Sequence, residues 1–458
     1  MIKFLNYTIL IPLAIGIYFI FLNLFYFAPE TKIGADIVSR ALPALAPSLD
    51  IGIPYRDYWE ITPPSHLFIL DIWMKIFGTT ILSFKFLHAL ILIGLCITTI
   101  LIYKKVFKGF IFFLISVVTF FILFSPRLIT YLITPESLGL LFSLIGVLIL
   151  FYVKDSSKAL FGAGFFFIFS GQIKDPFTTT ILATVPFIWY ISTISLKKMI
   201  KGIGFLLIGT LFAFVSSFAY LFVLRALSDY SKVLDQKNYS FKIDEIDKIF
   251  ERLWQFLQRT KDTFLYFQYS LLILPVVWAV FTIINKVGNK TFDMIKLRKS
   301  DGTLNMKVDF KISRQTTNKQ ILLFYGIGSW IGFAAQGNVG SHYLTQMVVP
   351  LFVFIGFCFQ GILDSIKGFK IKNILVSKLI IGVVVLFFAL LLVPKKLYFV
   401  DYNFTNASPI KFLRSMAWSS QNPGIEIEDY IKQNVSKDQC IIHIYGWGVG
   451  TTYFYSQR

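Results

Sequence analysis

Long runs of apolar residues, separated by short polar stretches, recur along most of the chain. About 20 apolar residues are needed to cross a hydrocarbon core of roughly 30 Å as a helix, and about eleven runs approach or exceed that length. The predicted spans are 7–28, 81–103, 109–125, 137–153, 159–173, 177–195, 203–224, 264–285, 320–336, 346–363 and 376–393. The pattern therefore predicts an all-α polytopic membrane protein with about 11 transmembrane helices.

Two shorter patterns predict helices that rest on the membrane in the outer loops. Residues 65–77 form a mainly apolar segment that carries Asp71 and Lys75 and is too short to span. Residues 244–258 place apolar side chains at helical spacing. After Val393 the pattern changes to that of a small α/β segment, with a strand predicted at 440–445. We expect a membrane domain at 1–393 and a C-terminal domain at 394–458 that is truncated in mid-pattern.

Composition and charge narrow the class further. With 56% hydrophobic residues and a mean hydropathy of +0.68, the chain is too apolar for an ordinary soluble globule. A net charge of +19 would suit a nucleic-acid partner, but the Lys and Arg residues lie in short loops between spans and form no basic face. The three cysteines are scattered, so neither a disulfide framework nor a metal site is predicted, and we expect no cofactor.

The basic residues also predict the orientation. If the N-terminus is cytoplasmic, the inner loops contain 22 of the 44 basic residues and only five of the 25 acidic ones. Cytoplasmic loops carry an excess of Lys and Arg. The N-terminus is therefore predicted in the cytoplasm, with three long segments, 29–80, 225–263 and 394–458, on the other side. That side also carries most of the polar side chains suited to chemistry.

Four predicted outer loops, one long and three short, carry short polar motifs. The first contains Gly-Ala-Asp-Ile-Val-Ser-Arg-Ala at 34–41 and Gly-Ile-Pro-Tyr-Arg-Asp at 52–57, followed by Pro-Pro at 63–64. The others contain Thr-Pro-Glu-Ser at 134–137, Lys-Asp-Pro at 174–176 and His-Tyr at 342–343. Together the motifs bring acids, cations and aromatic side chains to one predicted surface.

With this topology, the motifs resemble the polyprenyl-phosphate-dependent membrane glycosyltransferases of the GT-C superfamily, in particular the protein O-mannosyltransferase and aminoarabinose transferase branch. The resemblance covers roughly residues 1–400. It implies an enzyme of the bacterial inner (plasma) membrane that transfers a sugar from a polyprenyl phosphate to a hydroxyl on the non-cytoplasmic face. The acceptor would be a lipid, a glycan or a protein. The other partners are membrane lipids, with no nucleic acid.

The resemblance assigns catalytic roles to two acids. Asp36 would be the general base, because attack of a hydroxyl on an anomeric carbon needs a carboxylate to accept the proton. Asp36 would also suit the cap of a short helix that begins at Ile37. Glu136 would lie near the base and orient the acceptor or tune Asp36. The alternative for Glu136 is a helix-start acid stabilised by the helix dipole.

The resemblance assigns substrate binding to two cations and an aromatic residue. Lys174 would stabilise the departing lipid phosphate, although a lysine whose ammonium reaches up to the interface is the alternative. His342 would donate to the phosphate or to a sugar hydroxyl. Tyr343 would bind beside it or anchor the interface. Asp175 and Pro176 have the pattern of a helix cap and first helical residue.

Further outer-facing side chains are weaker candidates for substrate binding. Aromatic rings stack on sugars, and arginine grips phosphate, but each of these residues would equally well stabilise a loop. They are Arg40, Tyr55, Asp57, His66 and Arg127.

Two other classes of function remain open. A transporter or a flippase for lipid-linked glycans places ionisable residues near the middle of the membrane and breaks its spans there. A non-catalytic scaffold would not depend on Asp36. The interiors of the predicted spans are nearly free of charge, which favours the enzyme over the transporter.

Overall fold

A computed structural model describes residues 7–22, 43–44, 46–49, 52–57, 62–79, 81–124, 134–236, 314–335 and 345–368, and single residues at 251, 276 and 382. These described residues are mostly helical and include no β-strand. The predicted α-helical class is therefore confirmed for them. The predicted spans 264–285 and 376–393, the helix at 244–258 and the α/β segment at 394–458 fall largely or wholly outside the described residues.

Eleven α-helices make up the described part of the chain. They are α1 (Tyr7–Leu22), α2 (Pro64–Phe77), α3 (Ile81–Val106), α4 (Gly109–Leu123), α5 (Pro135–Tyr152), α6 (Ser156–Gly171), α7 (Val185–Ser192), α8 (Leu196–Val223), α9 (Leu227–Gln236), α10 (Arg314–Ala334) and α11 (Thr345–Gly368). Two 3₁₀ helices, Ala46–Leu49 and Asp175–Thr184, lie between them.

Four of the described helices are long and apolar enough to cross a membrane. They are the segments Ser83–Val106, Pro135–Tyr152, Leu196–Val223 and Thr345–Asp364. Two shorter apolar helical segments occur at Ile9–Tyr18 and Gly109–Phe120. Helices of this length and composition indicate a membrane protein, whereas the count of 11 spans stays a prediction.

The outward face of α8 is the clearest sign of a lipid environment. Leu207, Leu211 and Phe212 are between 57% and 62% exposed, and Phe222 and Val223 at the end of the helix are at least 75% exposed. So large a contiguous apolar face is rare on a soluble monomer. In a bilayer, hydrocarbon chains would cover this face, and its apolar side chains would not be exposed to water. Helix α8 therefore fits the periphery of a helical bundle in a bilayer.

The predicted span at 177–195 is not one regular α-helix. Residues Asp175–Thr184 form a 3₁₀ helix, and α7 follows directly, with Pro186 in its first turn. The hydroxyls of Thr179, Thr180 and Thr184 donate back to carbonyls three residues earlier. Such bonds compete with regular helix formation. With a rise of about 2 Å per 3₁₀ residue, the segment still extends roughly 30 Å.

Glycines allow the helices to approach closely. A Cβ at Gly209 of α8 would overlap the backbone of Phe161 in α6, and a Cβ at Gly328 of α10 would overlap the carbonyl of Thr179. The Thr179 hydroxyl also lies 2.6 Å from the Gly328 carbonyl oxygen. Small residues at such contacts are typical of packing between membrane helices. They bring α10 directly against the 3₁₀ helix.

The short helix α2 confirms the helix predicted at 65–77. Its inner face buries His66, Leu70 and Met74, whereas Ile76 is 66% exposed. Its two charges, Asp71 and Lys75, form an ion pair of 2.8 Å one turn apart. Pairing one turn apart neutralises both charges, as expected for a helix that lies against an apolar surface. Its position at the membrane interface stays a prediction.

Candidate functional site

The first turn of α5 holds a buried carboxylate. Thr134 precedes the helix, and its hydroxyl oxygen accepts a hydrogen bond of 3.2 Å from the N–H of Ser137. Pro135 suits the first helical position because it has no N–H to satisfy. Glu136 follows, where the helix dipole favours an acid. Since Glu136 is only 4% exposed, its charge needs a partner within the protein.

Lys174 supplies that partner from the turn after α6. Its N–H donates to the carbonyl of Ser170 at 3.0 Å, which continues α6 into the turn. Its Nζ lies 3.0 Å from Oε1 of Glu136. The side chain of Lys174 is 20% exposed and that of Glu136 is 5% exposed. The ammonium is therefore the member of the pair that a ligand can reach.

A glycine sets the spacing of this pair. Gly139 comes three residues after Glu136, and Phe177 comes three residues after Lys174. A Cβ at Gly139 would lie 2.7 Å from a ring carbon of Phe177, which is fully buried. Only glycine permits the ring to pack this closely against α5. The contact holds the start of α5 and the start of the 3₁₀ helix at the same level.

Lys174 and not Asp175 occupies the capping position of the 3₁₀ helix. The helix begins at Asp175, and Pro176 is its second residue. The sequence prediction that Asp175 is the cap is therefore wrong by one residue. The backbone of Lys174 is extended, with φ −151° and ψ 115°, and marks the end of the turn.

The segment at 52–57 is fixed by contacts within the protein. The Asp57 carboxylate accepts a hydrogen bond of 2.7 Å from the N–H of Ile53 and closes a turn. Tyr55, which has a positive φ of 67°, donates its hydroxyl to the Thr62 carbonyl at 2.7 Å. These are the contacts of loop-stabilising residues, the alternative that the sequence left open for Tyr55 and Asp57.

An ion pair links this segment to α9. Arg56 Nε lies 2.9 Å from Oδ2 of Asp229, and its guanidinium also donates to the Arg225 carbonyl at 2.9 Å. Lys232 is a second partner of Asp229, at 3.2 Å. Burial raises the pKa of the Asp229 carboxyl, but hydrogen bonds and charge from Arg56 and Lys232 outweigh this effect. The pKa therefore falls below its ordinary value of 3.8.

Helix α2, which follows this segment, contacts the turn that carries Lys174. The N–H of Ser65 donates to the carbonyl of Gln172 at 3.1 Å, two residues before Lys174. The ring of Tyr55 packs edge-on against Tyr230, with 4.9 Å between centroids. Burial, and then the negative charge of Asp175, raise the pKa of the Tyr230 phenol. The segment at 52–57 thus packs against α9, and the start of α2 packs against the Lys174 turn.

The structure places five of the predicted site residues. Glu136 and Lys174 form an ion pair, Tyr55 and Asp57 stabilise the segment at 52–57, and His66 is fully buried in α2. The other five lie outside the described residues: Asp36, Arg40, Arg127, His342 and Tyr343.

A buried histidine in α3 was missed by the sequence analysis. His88 is 1% exposed, although it lies in an apolar run, and ionisable residues inside spans are usually functional. Helix α3 packs beside α5 in the same direction, with Gly94 against Leu141. His88 and Glu136 precede that contact by six and five residues, or about 9 Å and 7.5 Å. They therefore lie at nearly the same depth.

Comparison with known proteins adds no identification. No protein-family model matches the chain, and neither the curated proteins nor the solved structures yield a significant match. Among the described residues, no group of three or more His, Cys, Asp and Glu side chains is placed to hold a metal ion. The geometry of the Glu136–Lys174 pair and the sequence motifs around it are therefore the features from which we infer a function.

Proposed function

We propose that the chain is a membrane glycosyltransferase that transfers a sugar from a polyprenyl phosphate to an acceptor hydroxyl. It would be a multi-pass protein of the bacterial inner membrane and act on the non-cytoplasmic face. The observation that carries the proposal is the pair formed by Glu136 and Lys174, 3.0 Å apart. The pair lies at the helix ends that the charge of the loops assigns to the outer side.

The exposure of the two side chains suggests different roles. When the sugar leaves, its phosphate gains negative charge, and a nearby ammonium stabilises that charge in the transition state. Lys174, the more exposed partner, would supply this ammonium. Glu136 is too buried to meet an acceptor. It would instead be a positioning residue that holds the Lys174 ammonium in place, and not an acceptor-side catalytic residue.

The proton and the bonds balance if Asp36 is the base. The acceptor oxygen bonds to the anomeric carbon while its proton passes to the Asp36 carboxylate. The bond from that carbon to the phosphate oxygen breaks, and its electron pair leaves with the phosphate. In such a single displacement the acceptor enters opposite the leaving phosphate, so the transfer inverts the anomeric centre. The assignment of Asp36 rests on the sequence resemblance alone.

The surroundings of α10 and α11 support a contribution from His342 to the same site. Gln346, in the first turn of α11, donates to the Ser329 carbonyl of α10 at 2.6 Å. One turn further along α10, a Cβ at Gly332 would overlap the Pro176 carbonyl. The described residues on both sides of the segment that contains His342 thus lie close to the Lys174 turn.

Transfer from a panel of radiolabelled polyprenyl-phosphate sugars tests the proposal. The full chain, purified and reconstituted in vesicles, should use at least one donor, and Asp36→Asn should slow transfer by about 10²- to 10⁴-fold, the usual contribution of a general base. Glu60→Gln, which changes another acid of the predicted outer loop 29–80, is the matched control and should retain activity. Equal rates for wild type and Asp36→Asn, at equal thermal stability, would contradict the mechanism.

A transporter or flippase for lipid-linked glycans is the second candidate. Two observations favour it: the irregular segment Asp175–Ser192 and the buried His88 within α3. Transporters use interrupted helices and ionisable residues inside the membrane. Movement of an intact labelled lipid-linked sugar across the vesicle membrane, without any transfer, would support this function against the enzyme.

A further inference from the structure

A basic pocket lies at the opposite helix ends from the Glu136–Lys174 pair. It has a volume of about 330 Å³ and is formed where α5, α6, α7, α8 and α10 begin or end. Three cations, Lys154, Lys198 and Arg314, are among its lining residues, and no acidic residue of the described part of the chain lines it. A concave site with three positive charges and no negative one is suited to an anion.

Arg314 is held in place by aromatic rings. Its guanidinium carbon lies 4.6 Å from the ring centroid of Phe187 and 5.5 Å from that of Tyr190. It also donates a hydrogen bond to the Leu150 carbonyl. Stacking and hydrogen bonding fix the plane of the guanidinium, which matches the geometry of a phosphate better than a flexible side chain would.

Asp155, which is adjacent to Lys154 in the sequence, is engaged in capping a helix. Asp155 lies between Lys154 and Ser156 in the sequence but is not one of the lining residues. Its Oδ1 accepts hydrogen bonds from the N–H groups of Ser157 and Lys158 at 2.8 Å and 3.1 Å, and so caps α6. These bonds, and the positive charges of Lys158 and Lys201, lower the pKa of its carboxyl. Among the described residues of the wall, no carboxylate therefore cancels the positive charge of the pocket.

The rim of the pocket indicates that the anion belongs to a lipid. Ile194 lines the pocket and is 56% exposed, and Trp189, Leu196 and Ile200 beside it are each more than 60% exposed. Large apolar side chains at a helix end suit acyl chains, and an exposed tryptophan suits the interface. A phosphate with acyl chains attached would satisfy both the cations and this rim.

We propose that this pocket binds the phosphate of an anionic phospholipid headgroup on the cytoplasmic side of the membrane. Basic pockets between helices at that surface are suited to such headgroups. The volume of about 330 Å³ lies in the range of small-ligand sites. The proposal does not depend on glycosyl transfer. The lipid would tie together the ends of the helices whose other ends carry Glu136 and Lys174.

Lipid retention by the purified full chain tests the proposal. The protein is extracted in a neutral detergent, offered phosphatidylglycerol or phosphatidylcholine, and examined by native mass spectrometry. Wild type should retain phosphatidylglycerol preferentially. Replacing two cations with Lys198→Gln and Arg314→Gln should weaken that binding by about 30-fold, because each cation at an anionic lipid surface strengthens binding several-fold.

A matched pair of variants separates the pocket from general surface charge. Lys197→Gln with Lys201→Gln removes two cations from the same helix end but none from the pocket wall. This control pair should retain phosphatidylglycerol as wild type does. An equal loss of binding in both double variants would overturn the proposal, because the pocket would then contribute no more than ordinary surface charge.

Two further experiments control for misfolding of the double variant and for binding of a soluble phosphate in place of a lipid. Lys198→Glu alone reverses an exposed charge and leaves Arg314 and its aromatic partners unchanged. This variant should lose the preference for phosphatidylglycerol. Binding of phosphatidylglycerol at the wild-type level would overturn the proposal. Glycerol 3-phosphate and inorganic phosphate should not displace the lipid at comparable concentrations. If either binds as tightly as phosphatidylglycerol, the ligand is a soluble phosphate and the lipid assignment is wrong.

Discussion

Lys174 Nζ lies 3.0 Å from Glu136 Oε1, although Glu136 lies in the first turn of α5 and Lys174 lies in the turn after α6. The side chain of Glu136 is 5% exposed and that of Lys174 is 20% exposed. Such a pair is stable only while both charges are present, because a buried charge without its partner is costly. The same asymmetry lets Lys174 meet a ligand while Glu136 stays enclosed by protein.

Glu136→Gln should lower both stability and activity. Loss of one member of a fully buried pair costs roughly 3–5 kcal/mol. Because Lys174 is partly exposed, we expect about 1–2 kcal/mol here. Thermal unfolding of the purified protein in detergent measures this change. The double variant Glu136→Gln with Lys174→Gln should recover part of the loss, since it leaves no unpaired charge. Additive losses in the double variant would show that the two side chains are not coupled.

Removal of the Lys174 charge should lower the rate at which the protein uses its polyprenyl-phosphate donor. Under the proposed mechanism, Lys174→Gln lowers kcat/KM for the polyprenyl-phosphate donor by about 10²- to 10³-fold, the usual loss for one group that stabilises developing charge. Lys174→Arg keeps the charge and should restore part of the activity, because a guanidinium also binds phosphate. Steady-state transfer assays measure both values.

Lys197→Gln is the control for this series. Lys197 is an exposed lysine in the first turn of α8, at the opposite end of the bundle from Lys174. Its loss should leave kcat/KM unchanged. If Lys174→Gln behaves in the same way as this control, Lys174 does not contact the donor phosphate.

The helices were predictable because the physical cause of the pattern is local. A helix in lipid must be apolar along its whole length, so runs such as 203–224 reveal their position directly. The 3₁₀ form of Asp175–Thr184 was not predictable, since it arises where threonine hydroxyls compete for backbone carbonyls and where α10 packs against it. Hydropathy is the same for both kinds of helix.

The site was predictable only to the level of a shared surface. The alternation of loops puts Glu136 and Lys174 on one side, but their separation of 3.0 Å depends on the packing of Phe177 against Gly139. The ion pair between Arg56 and Asp229 joins residues far apart in the sequence and leaves no local signal. His88 did leave a signal, as an imidazole in an apolar run.

The contact between α10 and the 3₁₀ helix should not tolerate a side chain at Gly328. A methyl group there would overlap the Thr179 carbonyl, which is backbone and cannot move aside easily. We expect Gly328→Ala to destabilise the protein by about 1–3 kcal/mol, the usual range for overpacking. Thermal unfolding in detergent checks this value.

Gly326→Ala is the matched control on the same helix. A Cβ at Gly326 would meet only the side chain of Pro350, at 3.5 Å, which is ordinary van der Waals contact. Its stability should therefore stay within about 1 kcal/mol of wild type, because alanine has the better helix propensity. Equal destabilisation by both substitutions would show that α10 is not packed through Gly328.

The ion pair of Arg56 with Asp229 should make stability depend on pH in the acidic range. The folded pKa of Asp229 lies below its ordinary value of 3.8. The pair therefore contributes its full stability above that value and loses it as the pH falls through the lower folded pKa. We expect the difference in Tm between wild type and Asp229→Asn to shrink as the pH is lowered below 3.8. A difference that stays constant over this range would contradict a stabilising charge on Asp229.

The two ends of α8 should face opposite sides of the membrane. Lys197 lies in the first turn of α8, and Lys232 lies in α9, which follows the last turn of α8. The 28 residues of α8 therefore separate the two lysines by about 40 Å. In a cysteine-free background, Lys232→Cys in intact cells should react with a membrane-impermeant maleimide, whereas Lys197→Cys should react only after the membrane is opened. Lys174 lies beside the segment that contacts α9, so Lys174 and Lys232 should lie on the same side of the membrane. Labelling of both cysteines in intact cells would contradict the assignment of Lys174 to the outer surface.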